Sequence, residues 1–551
     1  MRLFSPSHLN FQRVVMSRRF RVLLNPVLLV GLTAMLTAVA VQPGDLGSID
    51  TIRRLQTTRS FWTSAPTVMP GDMGILGKNG QRHYWYGMGQ SLLMLPADIL
   101  ARGSVRLISR FREPPWWLMR EDTIVSYLTS TLVCTLSILL CFHFLRRMAF
   151  TVNQSILGAL TLLLGTTFLH YTQNMEENNY LFLLTFAGFY FHYDWYRTGS
   201  IRSLLWGSMA LGANLLTRLT TGLDLVAAAV FILLCSLYEN GRGRAALDRL
   251  IEYGKICIPC YAGFFIIDRL YNYDRFGSLL GTYLQIFAQQ FAGKASPTPY
   301  PWPATSIPGW PWSTPFAVGF LGPLITPGKS IFLFDPLIVL TLILTFCLWK
   351  RFPAETKAYV IALVWLLFSY ICFYAKYYDW SGDNAWGDRY VTTPVQMLAM
   401  ISMPLLMRYR VALKSWVLKL GTTIAAASVT IQIASLFFWN SLEVWQLKTL
   451  GRPTFVVGLR FVNIVAFALG TTDRWGLSNE YTRVDTSHRM TTPYFFPFLV
   501  QRQGTASPGK VTILIAAWIC LLAALLGLLS LIAVRVRESE SKMSEASGDT
   551  G

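Results

Sequence analysis

Charge is what this chain has least of. Only 14% of its 551 residues are charged, against 53% hydrophobic, and the mean hydropathy is +0.40. A water-soluble globular fold is excluded by that balance, since apolar runs of about 18 residues or more recur from end to end. Acidic residues are fewer than basic ones, 29 against 48, giving a net charge of +19. The excess sits between apolar runs and not in one patch, which argues against nucleic acid and for bilayer orientation and contact with anionic lipid or phosphate. None of the eight cysteines stands in a polar loop, so no disulfide framework is visible. The "CIPC" at Cys257 to Cys260 has redox spacing but lies inside an apolar run, where packing is the simpler role. Soluble domains, low-complexity tracts and internal repeats are also missing.

What is present reads as an all-α polytopic membrane protein of about 12 transmembrane helices, with interfacial helices in the first extracytoplasmic loop. The expected spans are 22–42, 123–144, 154–170, 180–195, 203–217, 222–238, 256–271, 330–349, 358–376, 392–408, 415–438 and 511–534. The first follows Arg13, Arg18, Arg19 and Arg21 and is too long for a cleaved leader. With these spans the clusters at Arg146 and Arg147, Arg197 and Arg202, Arg242 to Lys255, Lys350 to Lys357, Arg408 to Lys419 and Arg535 to Lys542 all face the cytoplasm. Residues 1–438 then form a core with a long first outer loop, 43–122. A second outer segment covers 439–510, and 511–551 is a last span with a cytoplasmic tail expected to be disordered past Arg537. Two apolar stretches, 87–101 and 455–470, carry Asp98 and Arg460 and are expected to be interfacial or re-entrant.

The polar chemistry collects on the outer side. After the first span, "VQPGDLGSIDTIRRLQTTRSFWTS" places Asp45 and Asp50 at the membrane surface. From Asp50 an apolar stripe flanked by Arg53, Arg54 and Arg59 predicts an interfacial helix with Asp50 near its start, where the helix dipole favours an anion. Locally this is also a capping aspartate with snorkelling arginines. "GKNGQRHYWYGMGQSLLMLP" brings His83, Tyr84 and Tyr86; "HYTQNMEENNYLFLL" brings Glu176 and Glu177 at a helix start. Arg218 lies at the rim of a span, where a cation costs a few kcal/mol unless it is paired or hydrated. In "GFLGPLITPGKSIFLFDP", Lys329 and Ser330 open an apolar helix, a place suited to phosphate although the spacing is not that of a Walker loop. "AKYYDWSGDNAWGDRYVTTP" adds Trp380, Asp383, Trp386, Asp388, Arg389 and Tyr390.

That order of segments resembles the C-superfamily of integral-membrane glycosyltransferases (GT-C), in the bacterial branch related to protein mannosyltransferases and to aminoarabinose and arabinosyl transferases. The resemblance runs from the first span to the tenth. It implies a polyprenyl-phosphate-linked sugar donor used on the extracytoplasmic face of a bacterial inner membrane, with a glycan, lipid or protein acceptor and membrane lipids as the other partners. The first-loop aspartate of the superfamily maps to Asp50, with Asp45 in reserve, and its second acidic residue to Glu177. The adjacent acidic pair of protein mannosyltransferases is missing here, which counts against protein as acceptor.

The implied mechanism is an inverting transfer. Asp50 takes the acceptor proton, while Lys329, Ser330 and Arg218 or Arg389 meet the lipid phosphate as charge grows on it. His83, Tyr84, Tyr86, Trp380, Asp383, Trp386, Asp388 and Tyr390 would line the sugar and acceptor pocket, the two indoles also being suited to interface anchoring. No cofactor is required, and a divalent metal is compatible but not demanded by any ligand spacing. A transporter or flippase of lipid-linked glycans, and a ligase or polymerase of them, are the competing classes. Transport sites favour midplane broken helices in repeated halves, whereas this chain gathers its polar residues on one side.

Overall fold

The computed structural model describes residues 25–110, 121–241, 243–291, 309–383, 385–439, 442–443, 446, 455–471, 492–504 and 506–548. The arginines before the first span lie outside them. In chain order the helices are α1 (Pro26–Val41), α2 (Ile49–Trp62), α3 (Gly89–Ser109), α4 (Glu121–Arg147), α5 (Val152–Gly165), α6 (Phe168–Asn174) and α7 (Glu177–Thr198). Next come α8 (Ile201–Leu215), α9 (Gly222–Asn240), α10 (Arg244–Phe276), α11 (Tyr283–Phe291), α12 (Phe316–Ile325), α13 (Ile331–Phe334) and α14 (Leu337–Leu348). The last are α15 (Ala354–Tyr374), α16 (Thr392–Ala399), α17 (Ser402–Arg408), α18 (Ser415–Ser435), α19 (Val456–Ala468), α20 (Phe496–Gln503) and α21 (Pro508–Gly548). A two-residue hairpin pairs Ile75 with His83 and Leu76 with Arg82.

Every expected span falls on helix, but among the described residues only six helices are long and apolar enough to cross a membrane: α4, α9 with the turn before it, α10, α15, α18 and α21. The bent pair α5–α6, 55° apart, makes a seventh if it is one span. The expected count of about 12 is therefore not reached by length and composition. The shortfall has local causes. Span 154–170 breaks at Thr166 and Thr167, where the Asp335 carboxylate accepts from the Thr167 amide (2.7 Å) and hydroxyl (2.9 Å) and so caps α6. Span 330–349 breaks at that same Asp335, followed by Pro336, and span 392–408 breaks between α16 and α17. Helix α8 has 15 residues and α1 has 16.

One apolar core runs through the bundle, from Leu29 of α1 through Phe144 of α4, Phe186 of α7 and Phe231 of α9 to Tyr359 of α15. Stretch 87–101 lies in α3, which packs on α2 and α4 and buries Asp98 against the Arg59 guanidinium (3.2 Å) and the Trp62 indole N–H (3.0 Å). Helix α21 continues to Gly548, past the point where the tail was expected to lose order.

The long helices have polarity. Helix α4 begins at Glu121 and Asp122, which pair with Arg59 of α2, and ends 27 residues later at Arg146 and Arg147, about 40 Å away at the helical rise. Helix α7 begins at Glu177 and ends beside Arg197, which pairs with Glu239 at the end of α9. Arg147 pairs with Asp194 at that same far end.

Candidate active site

Helix α2 starts at the cap supplied by Ser48, whose hydroxyl accepts from the Thr51 amide. Asp50 is on its first turn, and Arg53 and Arg54 follow at i+3 and i+4, on the same face. The Tyr86 hydroxyl donates to Asp50 Oδ1 at 2.6 Å, and Arg389 Nη1 approaches Oδ2 at 3.4 Å. Burial pushes the Asp50 carboxyl up, but Arg389, Arg54 and the Tyr86 hydroxyl outweigh it and hold it below the usual carboxylate value. Burial, with Asp50 adding to it, keeps Tyr86 protonated and hence a donor.

The second acidic residue reaches the same place through the α6–α7 break. Met175 turns the chain in the left-handed region (φ +45°), and its carbonyl accepts from the Thr51 hydroxyl (3.0 Å) and the Gln90 amide (3.2 Å), pinning α2 and α3 to the break. The approach is close: a Cβ on Gly47 (φ +73°) would sit 2.2 Å from the Asn174 carbonyl oxygen. Glu177 then opens α7 and accepts from Arg54 on one carboxylate oxygen and from Arg218 on the other. The aromatic rings complete the pocket. Arg54 lies over Tyr86 (4.4 Å), Arg218 and Arg389 lie over Tyr390 (5.1 and 5.5 Å), and Tyr390 stacks on Tyr374 at 4.1 Å.

The 379–391 loop delivers Arg389. Lys329 donates to the carbonyls of Asp383 (2.7 Å), Ala385 (2.7 Å) and Gly387 (3.0 Å), so its ammonium is spent on folding the loop. Burial depresses the Lys329 amine and lifts the Asp388 carboxyl, which accepts from the Tyr390 amide. Asn178 of α7 donates to the Arg389 carbonyl (2.7 Å) and to the Thr392 hydroxyl (2.9 Å), fixing the backbone that carries the guanidinium.

Of the residues expected at the site, the structure brings together Asp50, Glu177, Arg218, Arg389, Tyr86 and Tyr390. Others are placed differently. Asp45 accepts from the Tyr494 hydroxyl and the Gly47 amide. Tyr84 donates to Asp72, which also takes two bonds from Arg53, and His83 sits in the hairpin edge-on to Phe276. Ser330 caps α13, which is only four residues long, and its hydroxyl donates to the Leu324 carbonyl. Trp386 is 1% exposed, stacked on His170 and edge-on to Phe334, so neither indole face is open to a sugar. Trp380 packs its ring where Gly322 has no side chain. Asp383 is exposed at a loop tip (φ +57°).

Three residues join that sequence reasoning did not place there. Arg54 clamps Glu177, and its spacing from Asp50 was the available signal. Glu176 is buried, with Asp50, Arg54 and Arg389 acting on its charge. Tyr283 of α11, partly exposed, faces the same group, with Arg218 and Arg389 acting on its hydroxyl. Among the described residues no three His, Cys, Asp or Glu side chains are grouped to hold a metal ion.

No protein-family model matches this chain, and no curated protein does. Solved structures do. The archaeal oligosaccharyltransferase AglB from Archaeoglobus fulgidus, in complex with an inhibitory peptide and a dolichol-phosphate, is similar at 12% identity with a TM-score of 0.46. The match covers 82% of this chain but 59% of AglB, so the chain spans less than two thirds of that protein. ArnT from Cupriavidus metallidurans, bound to undecaprenyl phosphate, is similar at 13% identity with a TM-score of 0.42, over 94% of this chain and 78% of ArnT.

Proposed function

We propose that the protein is an inverting glycosyltransferase that moves a sugar from a polyprenyl-phosphate donor to an acceptor hydroxyl at the extracytoplasmic end of its helices. The observation that carries this is the Asp50 carboxylate, held between the Tyr86 hydroxyl and a loosely bound Arg389. At 3.4 Å the Arg389–Asp50 contact is longer than the 2.7–2.9 Å typical of a charge-assisted bond, and the buried Arg389 Nε has no acceptor. Arg54 and Arg218, by contrast, are engaged by Glu177. Arg389 is thus the cation with donors to spare for a lipid phosphate.

The acceptor oxygen attacks C1 of the sugar, its proton passes to Asp50, and the C1–O bond breaks with its electron pair leaving on the lipid phosphate. As Arg389 turns from Asp50 to the phosphate, it stabilises the leaving charge and raises the basicity of Asp50 in the same motion. The aromatic walls at Tyr86, Tyr283, Tyr374 and Tyr390 suit a sugar ring and shield the charges from water. Sidedness is supported by the polarity of α4 and α7, whose far ends carry Arg146, Arg147 and Arg197, as cytoplasmic ends do.

A transporter would draw on the broken helices, yet the Asp335 carboxylate at two of those breaks is spent on Thr167, within the fold. The deciding experiment incubates the purified protein in vesicles with a panel of polyprenyl-phosphate sugars and measures release of the lipid phosphate. Asp50→Asn is expected to lower turnover by about 10²- to 10⁴-fold, with the unfolding midpoint unchanged. Full activity in that variant would remove Asp50 from the base role, and absence of release from every donor would remove the donor class.

A further inference from the structure

Glu176 stands beside the site without a partner in it, and its surroundings are short of hydrogen atoms. A cavity of about 20 Å³ lies among Gln90, Thr129, Glu176 and Asn179, enough for one water. All four side chains are more than nine-tenths buried. Their orientation is settled by their donors. The Gln90 amide N–H₂ is spent on the Met175 carbonyl (3.2 Å), and that of Asn179 on the Phe168 carbonyl and the Thr172 hydroxyl (both 3.0 Å). Carbonyl oxygens accept only, so neither amide can be flipped. Gln90 Oε1, Asn179 Oδ1 and Glu176 Oε2 are therefore left as acceptors that no protein donor reaches, with the Thr129 hydroxyl also unpartnered. The other Glu176 oxygen already accepts from the Asn174 amide at 3.3 Å.

We propose that Glu176 is held as the neutral acid, a buried proton-binding site completed by a single ordered water. One hydrogen on Oε2, two from the water and one from Thr129 supply what the three acceptor oxygens lack. A bare carboxylate would instead add a charge to a wall that already has too few donors. Charged groups act on Glu176 from the neighbouring elements: Asp50 and Arg54 from α2, Arg389 from the loop and Lys329 ahead of α13. Tyr171 and Tyr180 line the cavity from α6 and α7, while α3 and α4 contribute the uncharged Gln90, Thr129 and Ser130. Burial, the largest influence, raises the carboxyl above its ordinary value and outweighs those cations.

Resting on the transferase assignment, the consequence is one of charge. With Glu176 neutral, Arg54, Arg218 and Arg389 face only Asp50 and Glu177, and the pocket keeps one positive charge for a phosphate. Ionising Glu176 cancels it.

The test needs no substrate, so it stands or falls apart from the transferase assignment. Thermal unfolding of the full chain in detergent is followed from about pH 5 to about pH 9 for the wild type, Glu176→Gln and Glu176→Ala. A carboxyl raised on folding gives stability that is whole at the acid end and is lost as pH climbs towards its folded value. The wild-type midpoint should therefore fall by several degrees relative to Glu176→Gln, whose amide supplies hydrogens at every pH. Glu176→Ala should sit below both at the acid end. The infrared band of a protonated carboxyl should be present near neutral pH and vanish in Glu176→Gln. Parallel wild-type and Glu176→Gln profiles, or no such band, would overturn the proposal. So would a rise in the wild-type midpoint with sodium over choline that Glu176→Gln lacks, which would make the cavity a metal-ion site.

Discussion

Glu177 is the residue on which the most charge converges. Its side chain is 7% exposed and that of Arg54 is 6%, so both sit largely out of water while Glu177 holds Arg54 and Arg218 at once. Removing the negative charge leaves two guanidinium groups without a counter-ion at the end of α7. Glu177→Gln is expected to cost about 3 to 5 kcal/mol of stability, read as a lowered unfolding midpoint, with transfer lost along with it. Unchanged stability would mean that the arginines have other partners. Asp50 and Arg54 were legible in advance because helical spacing places i and i+4 on one face. Lys329 was legible only as a cation ahead of a short helix. That its ammonium turns back onto three carbonyls of a loop more than 50 residues away depends on how that loop folds.

Among elements, the 379–391 loop is the most instructive. Sequence marked it by its density of charge and indoles between apolar runs, and the structure uses it to present Arg389 to Asp50. Its shape depends on backbone conformations that side chains disfavour. Gly387 has φ +74°, and a Cβ there would lie 3.2 Å from the Phe334 ring. Gly387→Ala should therefore cost about 1 to 2 kcal/mol and, by shifting Arg389 two residues on, reduce turnover more than it reduces stability. Comparing initial rates with unfolding midpoints checks this, and a loss of stability alone would uncouple the loop from catalysis. The tryptophans divide in a way composition could not announce. Trp386 is buried under Arg460, whose guanidinium lies 4.9 Å from its ring, whereas Trp380 fills the space left by Gly322.

Across the whole molecule, the second outer segment is tied to the core by a fully buried ion pair. Arg460 donates to both Glu443 oxygens, at 2.5 and 2.7 Å, and to the Ser435 and Phe438 carbonyls at 2.8 and 2.9 Å. Breaking one partner strands the other in a low dielectric. Arg460→Met alone should cost about 3 to 5 kcal/mol, while Arg460→Met with Glu443→Leu should recover much of it. Equal losses in the single and double variants, by thermal unfolding, would show that the carbonyl bonds and not the charge pair carry the anchoring.

Sequence by itself determined that the chain is helical and apolar, where its helices fall, and which segments hold charge. Each of those follows from local composition and periodicity. Tertiary structure decided that Asp50, Glu177, Arg218 and Arg389 meet, although the first and last are more than 300 residues apart. It also decided that Asp45, Lys329 and Trp386 take other partners, and that several expected spans break. Long-range packing selects which cation answers which carboxylate, and no local pattern encodes that choice.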